Sequence, residues 1–148
     1  MNALHILTQL HTEHNRKQYP SVPAYALPKK RYSDITANGL TACIIDYIHF
    51  SGGYAARINT QGQWNEKLNQ WTKGQTAVGT ADIHACLNGM HLSIEVKIGR
   101  DKQSEAQKRT QKKVQDAGGA YYLATDFQGF YEWTIQIAGF LNPCIHLE

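Results

Sequence analysis

Apolar and polar positions along this chain recur with two different periods, and the switches between them mark its elements. Near the start, Leu4, Leu7 and Leu10 form one stripe, which predicts a short amphipathic helix over residues 2–14. Residues 15–33 hold Pro20, Pro23 and Pro28 and predict an extended, irregular segment. Leu40, Ile44, Ile45 and Ile48 give the apolar face of a second helix within SDITANGLTACIIDYIHFSGG. Ser33 or Asp34 caps its start and Gly52-Gly53 stops it. YAARINT (54–60) has strand character. Residues 61–79 are polar, with Gly62, Gly74 and Gly79, and predict a long functional loop or a small irregular hairpin. The stretch TADIHACLNGMHLSIEVK (80–97) then alternates with period two, as paired strands do. A helix follows over about residues 102–117, ended by Gly118-Gly119, then a strand AYYLAT (120–125) and a closing helix DFQGFYEWTIQIAGFL. The order α, α, β, β-hairpin, α, β, α predicts one α/β domain spanning residues 1–148. An N-terminal helix and extended arm (1–33) precede its core (34–140).

The alternating stretch turns at Asn88-Gly89, a strong signal for a two-residue type I′ hairpin, because both central positions need positive φ. That turn sets the register. Leu87 pairs with Met90, Cys86 with His91, His84 with Ser93, Asp82 with Glu95 and Thr80 with Lys97. One face is then Ala81, Ile83, Ala85, Leu87, Met90, Leu92, Ile94 and Val96, which must bury against helices. The other face carries Asp82 directly opposite Glu95, with Lys97 beside them. Cβ atoms so paired lie about 5 Å apart, and like charges there repel. A proton held by one acid, neutralisation by Lys97, or a divalent cation between the carboxylates each relieves that repulsion. Mg²⁺ takes hard oxygen ligands, commonly one or two carboxylates plus waters and phosphate oxygens. The competing reading is a solvent-facing strand whose charges serve solubility.

Composition narrows the class without choosing between these readings. The chain has 148 residues, 42% of them hydrophobic and 18% charged, which suits one globular domain with a real core. No apolar run approaches the roughly 18 residues that span a bilayer, so no membrane partner is expected. The opening MNALHILTQLHTEH lacks a basic start and a cleavage site and reads as native structure. Cys43, Cys86 and Cys144 are odd in number and widely spaced. That argues against a disulfide framework and a zinc site, and fits a reducing, cytoplasmic setting. His5, His11 and His14 are joined by no cysteine or carboxylate grouping that would complete a ligand set.

Net charge is +3, but residues 97–113 concentrate seven basic side chains against two acids. Lys29-Lys30-Arg31, with Arg16-Lys17 upstream, forms a second basic group. Such patches point to a polyanion partner, the plainer alternative being a solvated helix face. In the helix after the hairpin, Ala106, Thr110, Val114 and Ala117 form a narrow buried stripe, and Glu105 supports Arg109 at i, i+4. Gln107 sits beside that stripe, with Ser104 one turn earlier. It can reach a catalytic lysine or a phosphate, or bond to backbone at the core edge. Together these residues describe phosphodiester hydrolysis. Asp82 and Glu95 hold Mg²⁺ and Lys97 stabilises developing charge. Arg100, Lys102, Ser104 and Lys108 hold the phosphate backbone of DNA. The alternatives are a DNA-binding module without catalysis and a protein-interaction subunit whose polar hairpin face is merely solvated.

The ordered set GTAD…IEVK followed by SEAQ resembles the PD-(D/E)XK nucleases. More narrowly, it is similar to the virus-type replication-repair nuclease (VRR-NUC) domain in its single-domain form. The matching pieces are Gly79, Asp82, Glu95-Val96-Lys97, Ser104, Gln107, Gly118-Gly119 and Tyr121-Tyr122, over roughly residues 34–133. The resemblance implies a restriction-endonuclease-like core, with a central mixed sheet flanked by helices and the active site on its β-hairpin. It implies Mg²⁺ or Mn²⁺ on Asp82, Glu95 and the backbone carbonyl of Val96. Lys97 would be the catalytic lysine and Gln107 an accessory residue. It further implies a homodimer acting on branched DNA such as Holliday junctions, in an intracellular setting that includes phage or prophage.

Two departures bear on the metal count. Ala81 stands where relatives carry a proline before the first acid. Many relatives also carry a glutamate on the helix before the first strand. The nearest position here is Asn38, with Asp34 and Asp46 as other options, and loss of that acid weakens a second metal site. Trp64 and Trp71 stack on bases or wedge a junction, or else cover the core under a loop, which is the favoured reading. Residues 1–33 serve as a dimerisation arm or a basic DNA contact.

Overall fold

The computed structural model describes residues 2–58, 62–72, 74 and 76–141. In chain order the elements begin with α1 (Ala3–Gln18), a turn of 3-10 helix (Ala24–Ala26) and α2 (Ala37–Phe50). The strands β1 (Tyr54–Arg57), β2 (Gln63–Asn65), β3 (Gln70–Thr72), β4 (Ile83–Leu87) and β5 (Met90–Val96) follow. Then come α3 (Glu105–Asp116), β6 (Ala120–Ala124) and α4 (Phe127–Leu141). This is a mixed α/β fold with a central mixed sheet flanked by helices.

Helix α1 starts where the Asn2 side chain accepts the Leu4 N–H. It runs a turn past the expected 2–14, since no proline interrupts it before Pro20. The segment after it is irregular, as its prolines require, but it is tied down. The Asn15 amide donates to the Pro28 carbonyl at 3.1 Å, and Lys30 and Tyr32 both reach Asp46 of α2 at 2.6 Å. Helix α1 itself packs on α2 and α4. His11 and His14 lie against the ring of Phe50.

Helix α2 is capped by Thr36, whose hydroxyl accepts the Gly39 N–H, and neither by Ser33 nor by Asp34. Asp34 has another task. Its carboxylate accepts the Phe127 N–H, the first of α4, at 2.9 Å, while Asp126 accepts the Gly129 N–H at 2.7 Å. Two orphan donors at the start of α4 are thereby satisfied, one from the far end of the sequence.

The sheet has strand order β1-β4-β5-β6. β1–β4 and β4–β5 are antiparallel, and β5–β6 is parallel, the α3 crossover supplying the reversal a hairpin cannot. One face carries Ile83, Ala85, Leu87, Leu92, Ile94 and Val96 into the core. There they meet Leu7 of α1, Leu40, Ile44 and Ile48 of α2, and Phe127 and Phe130 of α4. β2 and β3 form a separate two-stranded sheet, so the 61–79 stretch is partly a hairpin. Cys43 is buried and Cys86 exposed, both as free thiols, and Cys144 lies outside the described residues. Among the described residues no helix is long and apolar enough to cross a membrane.

The shared capping of α4 sets an expectation. Asp34→Ala lowers unfolding stability by about 1 kcal/mol, read from urea denaturation, and Asp34→Asn recovers most of it. An unchanged midpoint for the alanine variant would show that Asp126 alone suffices.

Candidate active site

Asn88 and Gly89 both have positive φ, 51° and 79°, as the type I′ turn requires. The register is the expected one from Leu87↔Met90 through Ile83↔Ile94. Beyond that pair the ladder opens. The Lys97 N–H turns to the Ala124 carbonyl of β6 at 2.9 Å. The Thr80 hydroxyl bonds back to the Ala77 carbonyl at 2.6 Å. Neither the expected Asp82–Glu95 pair nor the expected Thr80–Lys97 pair belongs to the ladder, because the Val96 N–H that would continue it goes to the Asp82 side chain instead of the main chain of β4.

Asp82 sits at the opening. Its backbone carbonyl accepts the Ile58 N–H at 2.7 Å, continuing the β1 side. Its carboxylate Oδ2 accepts the Val96 N–H at 2.9 Å, replacing a main-chain partner. Val96 thus meets Asp82 through its N–H. Its side chain is in the core.

Glu95 lies on the polar face of β5 yet is only 2% exposed. Strand β6 pairs beside β5, and α3, which packs on β6, brings Gln107 onto Glu95. Oε1 receives Lys97 Nζ at 3.0 Å and the side-chain amide of Gln107. Oε2 is buried and has no hydrogen-bond partner among the described residues. Burial pushes the Glu95 carboxyl above its ordinary value. The Lys97 hydrogen bond pulls it back and the nearby Asp82 charge pushes it up again. For Lys97, burial works against the charge. Hydrogen bonds and attraction from Glu95, and then Asp101 at 3.4 Å, outweigh it and hold the ammonium above its ordinary value.

Gln107 does two jobs with one side chain. Its carbonyl oxygen accepts the Ser104 N–H at 2.8 Å, while the Ser104 hydroxyl accepts the Gln107 N–H at 3.2 Å. That reciprocal pair is a capping box, and it starts α3 at Glu105, three residues later than expected. The amide nitrogen then reaches Glu95 rather than the lysine. Gly79 completes the arrangement. It has φ of +85°, and a Cβ there would stand 2.5 Å from the Ala106 carbonyl, so the turn before β4 lies directly on the first turn of α3.

The expected phosphate contacts are spread over the surface beside this cluster. Arg100, Lys102, Ser104 and Lys108 are all exposed. Ser104 is the α3 cap, and Lys108 is paired with Glu105 at 2.7 Å, a partner the sequence reading gave to Arg109. Arg100 and Lys102 have no ion pair among the described residues. Asn38 is exposed in the first turn of α2. No hydrogen bond among the described residues joins Asn38, Asp34 or Asp46 to Asp82, Glu95 or Lys97.

Two neighbours were given no role at the site in the sequence reading, although Tyr121 was among its matching pieces. Asp101 holds Lys97 and was recognisable as its i+4 acid. Tyr121 is buried on the same face, opposite Ser93 in the β5–β6 register. Burial pushes its phenol up, and Gln103 beside it offsets part of that, ahead of the charges of Glu95 and Asp82. Trp64 and Trp71 do not cover the core. They are 48% and 71% exposed.

Among the described residues no group of three His, Cys, Asp or Glu side chains gathers as a metal-ligand set. The donors present do fit one hard cation. Two neighbouring carboxylates are available, one with a buried oxygen left unsatisfied, and Mg²⁺ commonly takes its remaining ligands from water and phosphate. No protein-family model, curated protein or solved structure matches the chain.

The raised Glu95 carboxyl has a direct consequence for stability. Its native form keeps a proton that the unfolded form has released, over the range above the ordinary value of 4.5. In chelator, stability therefore falls as pH rises through that range. Glu95→Gln flattens this slope in denaturant unfolding followed across weakly acidic to neutral pH. An unchanged slope would show that Glu95 is solvated as an ordinary carboxylate.

Proposed function

We propose that this chain is a divalent-metal-dependent DNA endonuclease on a restriction-endonuclease-like PD-(D/E)XK core, of the single-domain VRR-NUC type. The observation that carries this reading is the Glu95 carboxylate. One oxygen is held by Lys97 and Gln107, the other is buried and unpartnered among the described residues, and the Asp82 charge acts on the same carboxyl. An acid placed for solubility would be exposed. Burying a charged carboxylate carries an effective penalty of several kcal/mol, which a cation shared with Asp82 would offset.

In this reading Asp82 and Glu95 hold Mg²⁺ or Mn²⁺, helped by the Val96 carbonyl. When bound, the ion polarises a phosphate and lowers the pKa of water. The rest falls to side chains. Lys97 stays charged and faces the charge that develops on the phosphate. Gln107 fixes the rotation of Glu95 from a capped helix end, and Asp101 holds Lys97 from its far side. Arg100, Lys102, Ser104 and Lys108 grip the DNA backbone. Branched DNA as substrate and a homodimer making paired cuts complete the proposal, on the strength of the sequence resemblance.

The alternative, a DNA-binding module without catalysis, rests on the missing third acid: Asn38 is neutral, and Asp34 and Asp46 are bonded elsewhere. A panel of linear, nicked, flap and four-way DNA, with and without Mg²⁺, separates the two. The endonuclease nicks at least one substrate only with metal. Asp82→Ala and Lys97→Ala each lower the rate on the order of a hundredfold or more while DNA binding survives. A wild-type protein that shifts junction DNA and cuts nothing with Mg²⁺ or Mn²⁺ would establish the binding module instead.

A further inference from the structure

The β2–β3 hairpin carries Trp64 and Trp71 directly opposite each other, their rings 6.1 Å apart and inclined at 69°. Edge-to-face packing fixes the rings with little freedom left to lose on binding. Even so, Trp71 is 71% exposed, a large apolar surface left open among the described residues. Between this hairpin and the start of α3 lies a cleft of about 530 Å³, within the roughly 300–1,000 Å³ of small-ligand sites. Trp71, Thr72, Gly79, Thr80, Ser104 and Gln107 are among its walls. Two of these segments are the ones that deliver the candidate active site. Gly79-Thr80 leads into Asp82, and Ser104 and Gln107 open the helix whose amide holds Glu95.

We propose that this cleft receives an unpaired DNA base stacked on Trp71, so that the protein prefers DNA with a single-stranded segment beside the site of cutting. This rests on the endonuclease reading above. An aromatic face at the mouth suits a base, whose own faces are covered while it remains in a duplex. On the walls the Ser104 hydroxyl, which accepts the Gln107 N–H, still has its proton to donate, and the Thr80 hydroxyl, which donates to Ala77, can still accept, so they suit a polar ligand better than an apolar peptide. Arg100 and Lys102, exposed cations without ion pairs among the described residues, lie four and two residues before Ser104 and match the charge of the flanking phosphates.

The test is equilibrium binding of fluorescent forked DNA and of fully paired duplex of equal length, in chelator so that nothing is cut. Wild type prefers the fork. Trp71→Ala weakens fork binding about 5- to 150-fold, the range of one stacked base, and leaves duplex binding unchanged. Trp71→Phe restores most of the preference and guards against a folding defect. Lys102→Ala weakens both DNAs alike. Equal loss of both DNAs in Trp71→Ala, or no loss, overturns the proposal. So does a wild-type dimer that Trp71→Ala converts to monomer in sedimentation, since the hairpin would then be a contact between copies. Fork preference without any cutting would leave the stacking site standing and remove the endonuclease. Cutting without fork preference would do the reverse.

Discussion

Everything distinctive in this molecule is arranged around one awkward group, a carboxylate sealed under helix α3 with half of its oxygens unsatisfied. A glutamate at that position on an open sheet would need no support. At 2% exposure Glu95 needs a cation, a neutral donor and a proton or metal ion, and the chain supplies the first two from neighbouring elements. Lys97 follows on the same strand, two residues on, and so shares its face. Gln107 arrives from the crossover helix, where the same amide also closes the capping box. The alignment of α3 is therefore coupled to the orientation of Glu95 through one side chain.

The fold around the site serves that coupling. A tight turn at Asn88-Gly89 fixes which residues of the hairpin face the core, and the parallel pairing of β5 with β6 brings α3 across the other face. Opening of the β4–β5 ladder past Ile83 frees the Val96 N–H, which the Asp82 carboxylate takes up. This places the second acid without a strained backbone. Gly79 allows the incoming turn to lie against Ala106 with no side chain between. Away from the site, Asp34 and Asp46 hold α4 and the N-terminal arm in place, so the acids of that region serve architecture.

Much of this was legible because a few residues carry strong local constraints. Asn-Gly admits few backbones, and strict alternation then fixed the two faces of the hairpin, placing Asp82, Glu95 and Lys97 together. What alternation cannot say is what lies over a face, and so the burial of Glu95 was not visible. Gln107 was recognised as a residue able to reach inward, but its partner depended on the angle at which α3 crosses. The cap of α2 was misplaced for a similar reason. Ser33, Asp34 and Thr36 are all good cap residues, and the choice was decided by the Phe127 N–H, 93 positions away in sequence. For Trp64 and Trp71 the sequence left base stacking open and favoured cover of the core under a loop. They lie on two three-residue strands that form a sheet of their own, apart from the four-stranded one.

The central claim is that the open oxygen of Glu95 and the Asp82 carboxylate form one cation site. The most direct measurement is the anomalous difference map of crystals soaked in Mn²⁺. The account predicts a single strong peak within bonding distance of both Glu95 Oε2 and Asp82, absent from Asp82→Asn crystals. Well-ordered side chains with no peak between them, or Glu95 swung out into solvent, would contradict it.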